Sequence, residues 1–179
     1  HNTIVVDDLD QSKPEGTFLW TNQAHTKVLD WKQTNEGGML LAEHDGYTRL
    51  PEKIVHRRQL TLSEEKLEIV DSLQGSGSHN IEWRLHFAPD CTVSLDKGNC
   101  IVKWDSGSVT ISLDQQMDWN LLTGNPVAGW YSPGFNLKQP ATTLVGISNI
   151  TGSISLSNSI DIVKQNYHQG AEVVDSATI

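Results

Sequence analysis

Apolar and polar residues alternate with a period of two along much of this chain. In residues 80–87 the side chains of Ile81, Trp83, Leu85 and Phe87 fall on one face, and polar side chains fall on the other. The same alternation recurs in shorter runs, namely 54–62, 67–69, 91–95 and 108–113. This periodicity is typical of strands in a sheet that is wet on one side, as antiparallel sheets permit.

The segments between these runs are rich in residues that favour turns. They comprise 63–65, 74–77, 96–99 and 105–107. No stretch carries a capped apolar stripe with helical spacing; residues 63–67 come nearest and are too short to hold as a helix. Short strands that recur at roughly 8–12 residues predict an all-β fold, either an antiparallel sandwich or a barrel.

The length of 179 residues fits one domain with a core of its own. We assign residues 1–150 to a β domain and 151–179 to terminal strands, around 154–156 and 160–163, followed by a polar tail. The Gly- and Pro-rich segment 122–140 is predicted to be an irregular loop. The chain opens inside a strand-like run, so we expect it to be a fragment of a longer polypeptide whose targeting signals have been lost.

The number and distribution of charged residues narrow the classes of ligand that the chain could bind. The net charge of -9 argues against nucleic acid, which needs a basic face, and no apolar run is long enough to span a membrane. Basic residues nevertheless concentrate in one short segment, and these are Arg49, Lys53, His56, Arg57 and Arg58. They form either a binding patch for an acidic ligand or a solvated strand face, and the pattern favours neither.

The two cysteines flank a predicted hairpin whose turn spans residues 96–99. This hairpin sets Leu95 opposite Cys100 and Cys91 opposite Trp104. The cysteines then lie on the order of 13 Å apart along the ladder, whereas a disulfide needs Cα atoms within about 7 Å. We therefore predict two free, buried thiols.

Motifs for nucleophilic, metallohydrolase or phosphate-binding sites are absent from the sequence. His44 and Tyr47 flank a tight Asp45-Gly46 turn and could supply a proton donor and acceptor. Polarity of the turn itself is the more common explanation for such a pair. Because the pair could still transfer a proton, Tyr47 is kept as a candidate catalytic residue.

Several short blocks together resemble the heparinase II/III-like polysaccharide lyases. Residues 1–7 (HNTIVVD) with Gln11 resemble the family segment A-H-N-T-V-x-V-D-G-x-x-Q, although Asp8 replaces its glycine. Further matches follow in the family's order, at 46–50 (GYTRL), 56–58 (HRR), 69–79 (IVDSLQGSGSH), 86–89 (HFAP) and 131–134 (YSPG).

The resemblance implies an antiparallel β-sandwich of two stacked sheets that follows an N-terminal (α/α) toroid domain missing from this chain. It implies β-elimination of acidic, uronate-containing polysaccharides outside the cytoplasm, in the periplasm or extracellular space. His1 matches a histidine that binds zinc in some members, so it is a candidate catalytic and metal residue of an incomplete site. We expect no cofactor in this fragment, zinc at most in the intact parent, and no turnover by the fragment alone. Arg49, His56, Arg57 and Arg58 are candidate substrate-binding residues.

A carbohydrate-binding module and a purely structural domain are the competing interpretations. The chain has six tryptophans, and exposed indoles on a β-sandwich are suited to stacking on sugar rings. Trp83 and Trp104 alternate with core residues and are expected to be buried. The remaining candidates for sugar stacking are Trp20, Trp31, Trp119 and Trp130.

Overall fold

The computed structural model describes residues 1–16, 19–124 and 128–161, and within these ranges the chain forms strands and turns and no helix. The strands in chain order are β1 Ile4–Val6, β2 Lys13–Pro14, β3 Trp20–Asn22, β4 Thr26–Thr34, β5 Gly37–His44, β6 Ile54–Leu62, β7 Lys66–Gly75, β8 Ser78–His86, β9 Thr92–Asp96, β10 Asn99–Trp104, β11 Gly107–Ser112, β12 Asp118–Thr123, β13 Trp130–Tyr131, β14 Gln139–Pro140, β15 Thr142–Thr151 and β16 Ile154–Asp161.

The strands form two main antiparallel sheets, and the prediction of an all-β sandwich is confirmed. The larger sheet has the order β4-β5-β6-β7-β16-β11-β10-β9, and the smaller has the order β1-β8-β15-β12. Two small hairpins, β2-β3 and β13-β14, complete the described strands. β16 lies inside the larger sheet, between β7 and β11, as one continuous strand to Asp161.

Side chains of both sheets meet in one core, as the alternation predicts. Trp83 of β8 is buried, and its ring lies 5.5 Å from that of Trp119 in an edge-to-face arrangement. Trp119 in turn lies over Gly146, where an added Cβ would come within 2.6 Å of the indole. Other fully buried members from the two sheets are Ile4, Val6, Ile54, Leu73, Ile81, Ile111, Leu144 and Leu156.

Strand and hairpin predictions hold well where the alternation is strong. The run 54–62 is one strand, and Cys100 pairs with Leu95 as expected. Both cysteines are free, as predicted. Cys100 is buried, whereas Cys91, which precedes β9, is half-buried, so the predicted burial of Cys91 is wrong. The predicted burial of Trp104 is wrong, since this residue ends β10 at a hairpin tip and is 37% exposed.

The segment 122–140 is more regular than predicted. β12 extends into it as far as Thr123, and Trp130 pairs with Pro140 in the β13-β14 hairpin. Residues 125–127 lie outside the described residues, as do 162–179, which hold the end of the predicted strand 160–163 and the polar tail. The boundary at residue 150 stays a prediction. Asp8, which stands where the resemblance expects glycine, has a φ of 58° in the left-handed region that favours glycine.

Candidate functional site

A buried carboxylate joins the two sheets of the sandwich. Asp71 lies on the inner face of β7 between Ile69 and Leu73 and is 0% exposed. Its Oδ1 accepts hydrogen bonds from His56 Nε2–H at 2.6 Å and Arg58 Nε–H at 2.7 Å. Its Oδ2 accepts from Arg58 Nη2–H at 2.9 Å and from the indole N–H of Trp83 at 2.8 Å. His56 and Arg58 lie on β6, beside β7 in the larger sheet, whereas Trp83 belongs to β8 of the smaller sheet, so the Trp83–Asp71 bond crosses the core.

The Asp71 carboxylate stays ionised despite its burial. Burial raises its pKa, but the hydrogen bonds from His56 and Arg58 and the charge of Arg58 outweigh that effect and lower the pKa to about 2. Four donors satisfy both oxygens, and an arginine charge partner is the condition under which a buried carboxylate is tolerated. We name Asp71, His56, Arg58, Trp83 and His44 the Asp71 network.

Hydrogen bonds fix the proton positions on the two histidines of this network. The Gly46 backbone N–H donates to His44 Nδ1 at 3.2 Å, so a neutral His44 carries its proton on Nε2. That proton points to His56 Nδ1 at 3.0 Å, which places the proton of His56 on Nε2, facing Asp71. Burial, followed by the nearby charge of His56, lowers the pKa of His44 to about 4. The lowered pKa keeps the His44 ring neutral near neutral pH, and the hydrogen bonds orient both rings.

Arg58 extends the network to the segment that follows His1. Its Nη1–H donates to the Asn2 carbonyl at 2.6 Å, while Asn2 Oδ1 accepts the His86 backbone N–H at 2.9 Å. The Thr3 carbonyl accepts the Arg84 N–H at 3.0 Å. The backbone beside His1 is thus fastened to both sheets.

His1 itself is exposed and lines an open groove of about 350 Å³. We call this the His1 groove, and its lining residues are His1, Asp10, Gln11, Ser12, Trp20, Gln23 and Ala24. A second groove of about 500 Å³ adjoins it, shares Asp10 and Ser12, and includes Lys13 and Arg49. Volumes of this size suit small ligands or parts of a polymer.

The candidate substrate-binding residues do not gather in one patch. Arg49 donates to the backbone carbonyls of Asp10, Gln11 and Gly46, while His56 and Arg58 face the core. Arg57 lies on the opposite face of β6 and donates to Glu43 at 2.7 Å. Substrate binding by these four residues stays a prediction.

The candidate catalytic residues lie in contrasting settings. Tyr47 is 0% exposed, and its hydroxyl donates to the Ile4 carbonyl at 2.7 Å. Burial raises the pKa of this hydroxyl far above its ordinary value. His1 alone of the two reaches an open groove. The catalytic assignment of both residues stays a prediction.

Sequence reasoning missed Asp71 as the centre of the buried network. The signal was present, because Asp71 alternates in phase with Ile69 and Leu73 on the buried side of its strand. On the neighbouring strand His56 and Arg58 share the phase of Ile54. Polar residues in the buried phase of two adjacent strands indicate a paired network between the sheets.

The described residues do not fit a metal site. Within 1–16, 19–124 and 128–161 no group of three or more His, Cys, Asp or Glu side chains could hold an ion. His1 therefore lacks partners for zinc in this part of the chain. Within the same residues there is also no helix long and apolar enough to cross a bilayer.

Comparisons with known proteins agree with this architecture. A family model described as "Heparinase II/III-like, C-terminal" matches residues 1–165. No curated protein matches the sequence.

Among solved structures, the heparan sulfate lyase HepC from Pedobacter heparinus superposes with a TM-score of 0.69 at 14% identity, covering 90% of this chain and 24% of that one. A heparinase III with methylated lysines superposes with a TM-score of 0.68 at 16% identity, covering 92% of this chain and 24% of that one. Another heparinase III structure superposes with a TM-score of 0.66 at 12% identity, covering 90% of this chain and 23% of that one. These structural matches show the shared fold, and this chain spans about a quarter of the length of those proteins.

Proposed function

The chain belongs to the heparinase II/III-like C-terminal family, and from that premise we propose that it is the β-sandwich domain of a polysaccharide lyase. The proposed reaction is β-elimination in a polysaccharide that contains uronic acids. In this proposal the domain supports an N-terminal (α/α) toroid domain and lines one wall of the substrate cleft. The observation that carries the proposal is the family match over residues 1–165, together with the exposure of His1 beside an open groove.

The length comparison supports a partner domain. The solved heparinases with this fold are about four times as long as the region they share with this chain. The toroid would bring the residues that neutralise the substrate carboxylate and begin the reaction. The sandwich alone is then expected to bind without turning over substrate.

The proposed chemistry needs a base, a neutralised carboxylate and an acid. The base removes the weakly acidic proton on the carbon next to the uronate carboxylate, and the electron pair left behind forms a carbon–carbon double bond. The bond from the ring to the leaving oxygen then breaks, and the acid protonates that oxygen. Neutralising the carboxylate stabilises the charge that develops between these steps.

His1 is the residue of this domain proposed to act in that proton transfer. An imidazole titrates near neutral pH and can serve as either acid or base. Asn2, which Arg58 and the His86 backbone hold, fixes the backbone next to the ring. Placement of a catalytic group on a rigid support is what effective proton transfer requires.

The test uses the full-length protein with heparan sulfate, alginate and polygalacturonate, and follows ultraviolet absorbance of the unsaturated product. His1→Gln is expected to lower kcat by about 100-fold or more, since general acid–base groups contribute on that order. His25→Gln is the matched control, because His25 is exposed and, within the described residues, its ring pairs with Asp45. Absence of unsaturated product from all three polymers would overturn the proposal.

A non-catalytic carbohydrate-binding role is the second candidate. The exposure of Trp20 at 50% and Trp31 at 61% favours it, since half-exposed indoles can stack on sugar rings. Sugar binding by a full-length protein that forms no unsaturated product would support this alternative. A location in the periplasm or outside the cell is proposed for either role, and cell fractionation with a tagged full-length protein tests it. Zinc in the intact parent stays a prediction that metal analysis of that protein tests.

A further inference from the structure

We propose that the His1 groove is a subsite for an uncharged sugar ring, with Trp20 as the surface on which the ring stacks. The inference rests on the proposed function for carbohydrate as the ligand class, and it adds which ring binds, where and through which residues.

The lining of the groove matches the two kinds of surface that a pyranose ring presents. Trp20 is 50% exposed, so its indole offers a flat apolar surface to the C–H face of a ring. The amides of Gln11 and Gln23 and the hydroxyl of Ser12 can donate and accept hydrogen bonds at the hydroxyl rim. A flat apolar wall with a few convergent polar groups is typical of small-ligand sites.

Charge in the groove disfavours an acidic ring. Among the described residues that line the groove, Asp10 is the one carboxylate and His1 has the one basic side chain. The cations Lys13 and Arg49 line the adjoining groove, together with Asp8 and the shared Asp10. A uronate placed against Asp10 would meet a like charge, whereas a hydroxyl can donate to it. The His1 groove therefore suits an uncharged ring next to the uronate.

The walls of the groove are held in place before any ligand binds. Arg49 Nη1–H donates to the Gln11 carbonyl at 2.9 Å, and the same guanidinium reaches the Asp10 carbonyl. The Ala24 N–H donates to Ser12 Oγ at 3.0 Å, which joins the two opposite segments. At Gly46 an added Cβ would collide with the Gln11 carbonyl and Ala24 Cβ, so the turn packs closely against both segments. A preformed site loses little entropy on binding.

The experiment titrates the ¹⁵N-labelled 179-residue chain with cellobiose, N,N′-diacetylchitobiose and digalacturonate while the indole N–H signals are recorded. Loss of one signal in Trp20→Ala identifies the Trp20 signal. We expect the two uncharged disaccharides to shift that signal and digalacturonate to bind more weakly. Trp20→Ala is expected to weaken binding by about tenfold, the scale of one lost aromatic contact.

Trp31→Ala is the matched control, because Trp31 is 61% exposed on β4 and lines neither groove. Its affinity should stay within about twofold of the unaltered chain. Gln23→Ala provides a second variant if Trp20→Ala does not fold, and it should also weaken binding. Shifts confined to Trp31, stronger binding of digalacturonate, or no binding of any disaccharide would each overturn the proposal.

Failure of this inference can be distinguished from failure of the proposed function. Cleavage of uronate polymers by the full-length protein, without sugar binding in the groove, would overturn the subsite alone. Binding at Trp20 without any cleavage would overturn the lyase and leave the subsite in place.

Discussion

Two histidine–aspartate pairs of nearly equal length lie in different hydrogen-bond networks in this molecule. His56 lies 2.6 Å from Asp71, and His79 lies 2.7 Å from Asp7. Both histidine side chains are 3% exposed, but that of Asp71 is 0% exposed and that of Asp7 is 37% exposed. The two pairs therefore differ in the burial of the carboxylate and not in the distance between the partners.

The two histidine rings also differ in the other hydrogen bonds that they make. Nδ1 of His79 faces Asp7, and its Nε2 faces the Ser76 carbonyl at 3.1 Å. Both neighbours are acceptors, so the ring is best satisfied as a cation. Burial opposes that charge, but the bonds to Asp7 and Ser76 outweigh burial and raise the pKa of His79. In the Asp71 network, Arg58 brings a positive charge to the carboxylate. Each histidine there accepts a hydrogen bond on its Nδ1, His56 from His44 and His44 from the Gly46 N–H.

The largest expected effect comes from removing the charge at the centre of the Asp71 network. Asp71→Asn keeps the size of the side chain but leaves Arg58 partly buried without its counter-charge. Breaking a buried ion pair on one side costs about 3–5 kcal/mol, so the free energy of unfolding should fall by that amount in urea denaturation. Glu68→Gln, on the exposed phase of the same strand, should change it by less than about 0.5 kcal/mol. A loss below about 1 kcal/mol for Asp71→Asn would show that the network contributes no more than a surface pair.

Acid should weaken the same network through His44. Its pKa is lowered to about 4 in the folded chain, so the stability that it contributes is present above its ordinary pKa and is lost as the pH falls. Between about pH 6.5 and 4 the lost free energy of unfolding is roughly 3 kcal/mol. Urea unfolding across this range should show a shallower pH dependence for His44→Gln than for the unaltered chain. His25→Gln, which alters an exposed histidine, should leave the slope unchanged. Equal slopes for all three proteins would place the acid sensitivity elsewhere.

The sequence predicts the strands better than it predicts the site. The strand Ile54–Leu62 is foreseeable because residues of one phase enter the core, and the wet face of β8 is visible in the same way. The Asp71 network is harder to foresee because its charges cancel only when β6, β7 and β8 meet. The His1 groove joins residues 1, 10–12 and 20–24, whose neighbourhood depends on contacts such as Arg49 to Gln11. Alternation fixes which face a side chain takes, but not which distant segments share a surface.

The smallest predicted effect concerns the more exposed of the two pairs and has the opposite pH dependence. The pKa of His79 is raised, so the stability from its pairing with Asp7 is present below the ordinary histidine pKa and is lost as the pH rises through the folded value. Asp7→Asn removes the charge while an amide oxygen can still accept the Asn80 N–H, and asparagine tolerates the positive φ of 52° at this position.

Partial exposure screens the Asp7 charge, so this variant should lose about 1 kcal/mol of unfolding free energy near pH 6 and almost none near pH 9. Urea unfolding at both pH values measures the difference, and an NMR titration of His79 should show a lower pKa in the variant. An equal loss at both pH values would mean that a neutral hydrogen bond, and not the histidine charge, stabilises this end of β8. The contrast with the Asp71 network would then lie in burial alone.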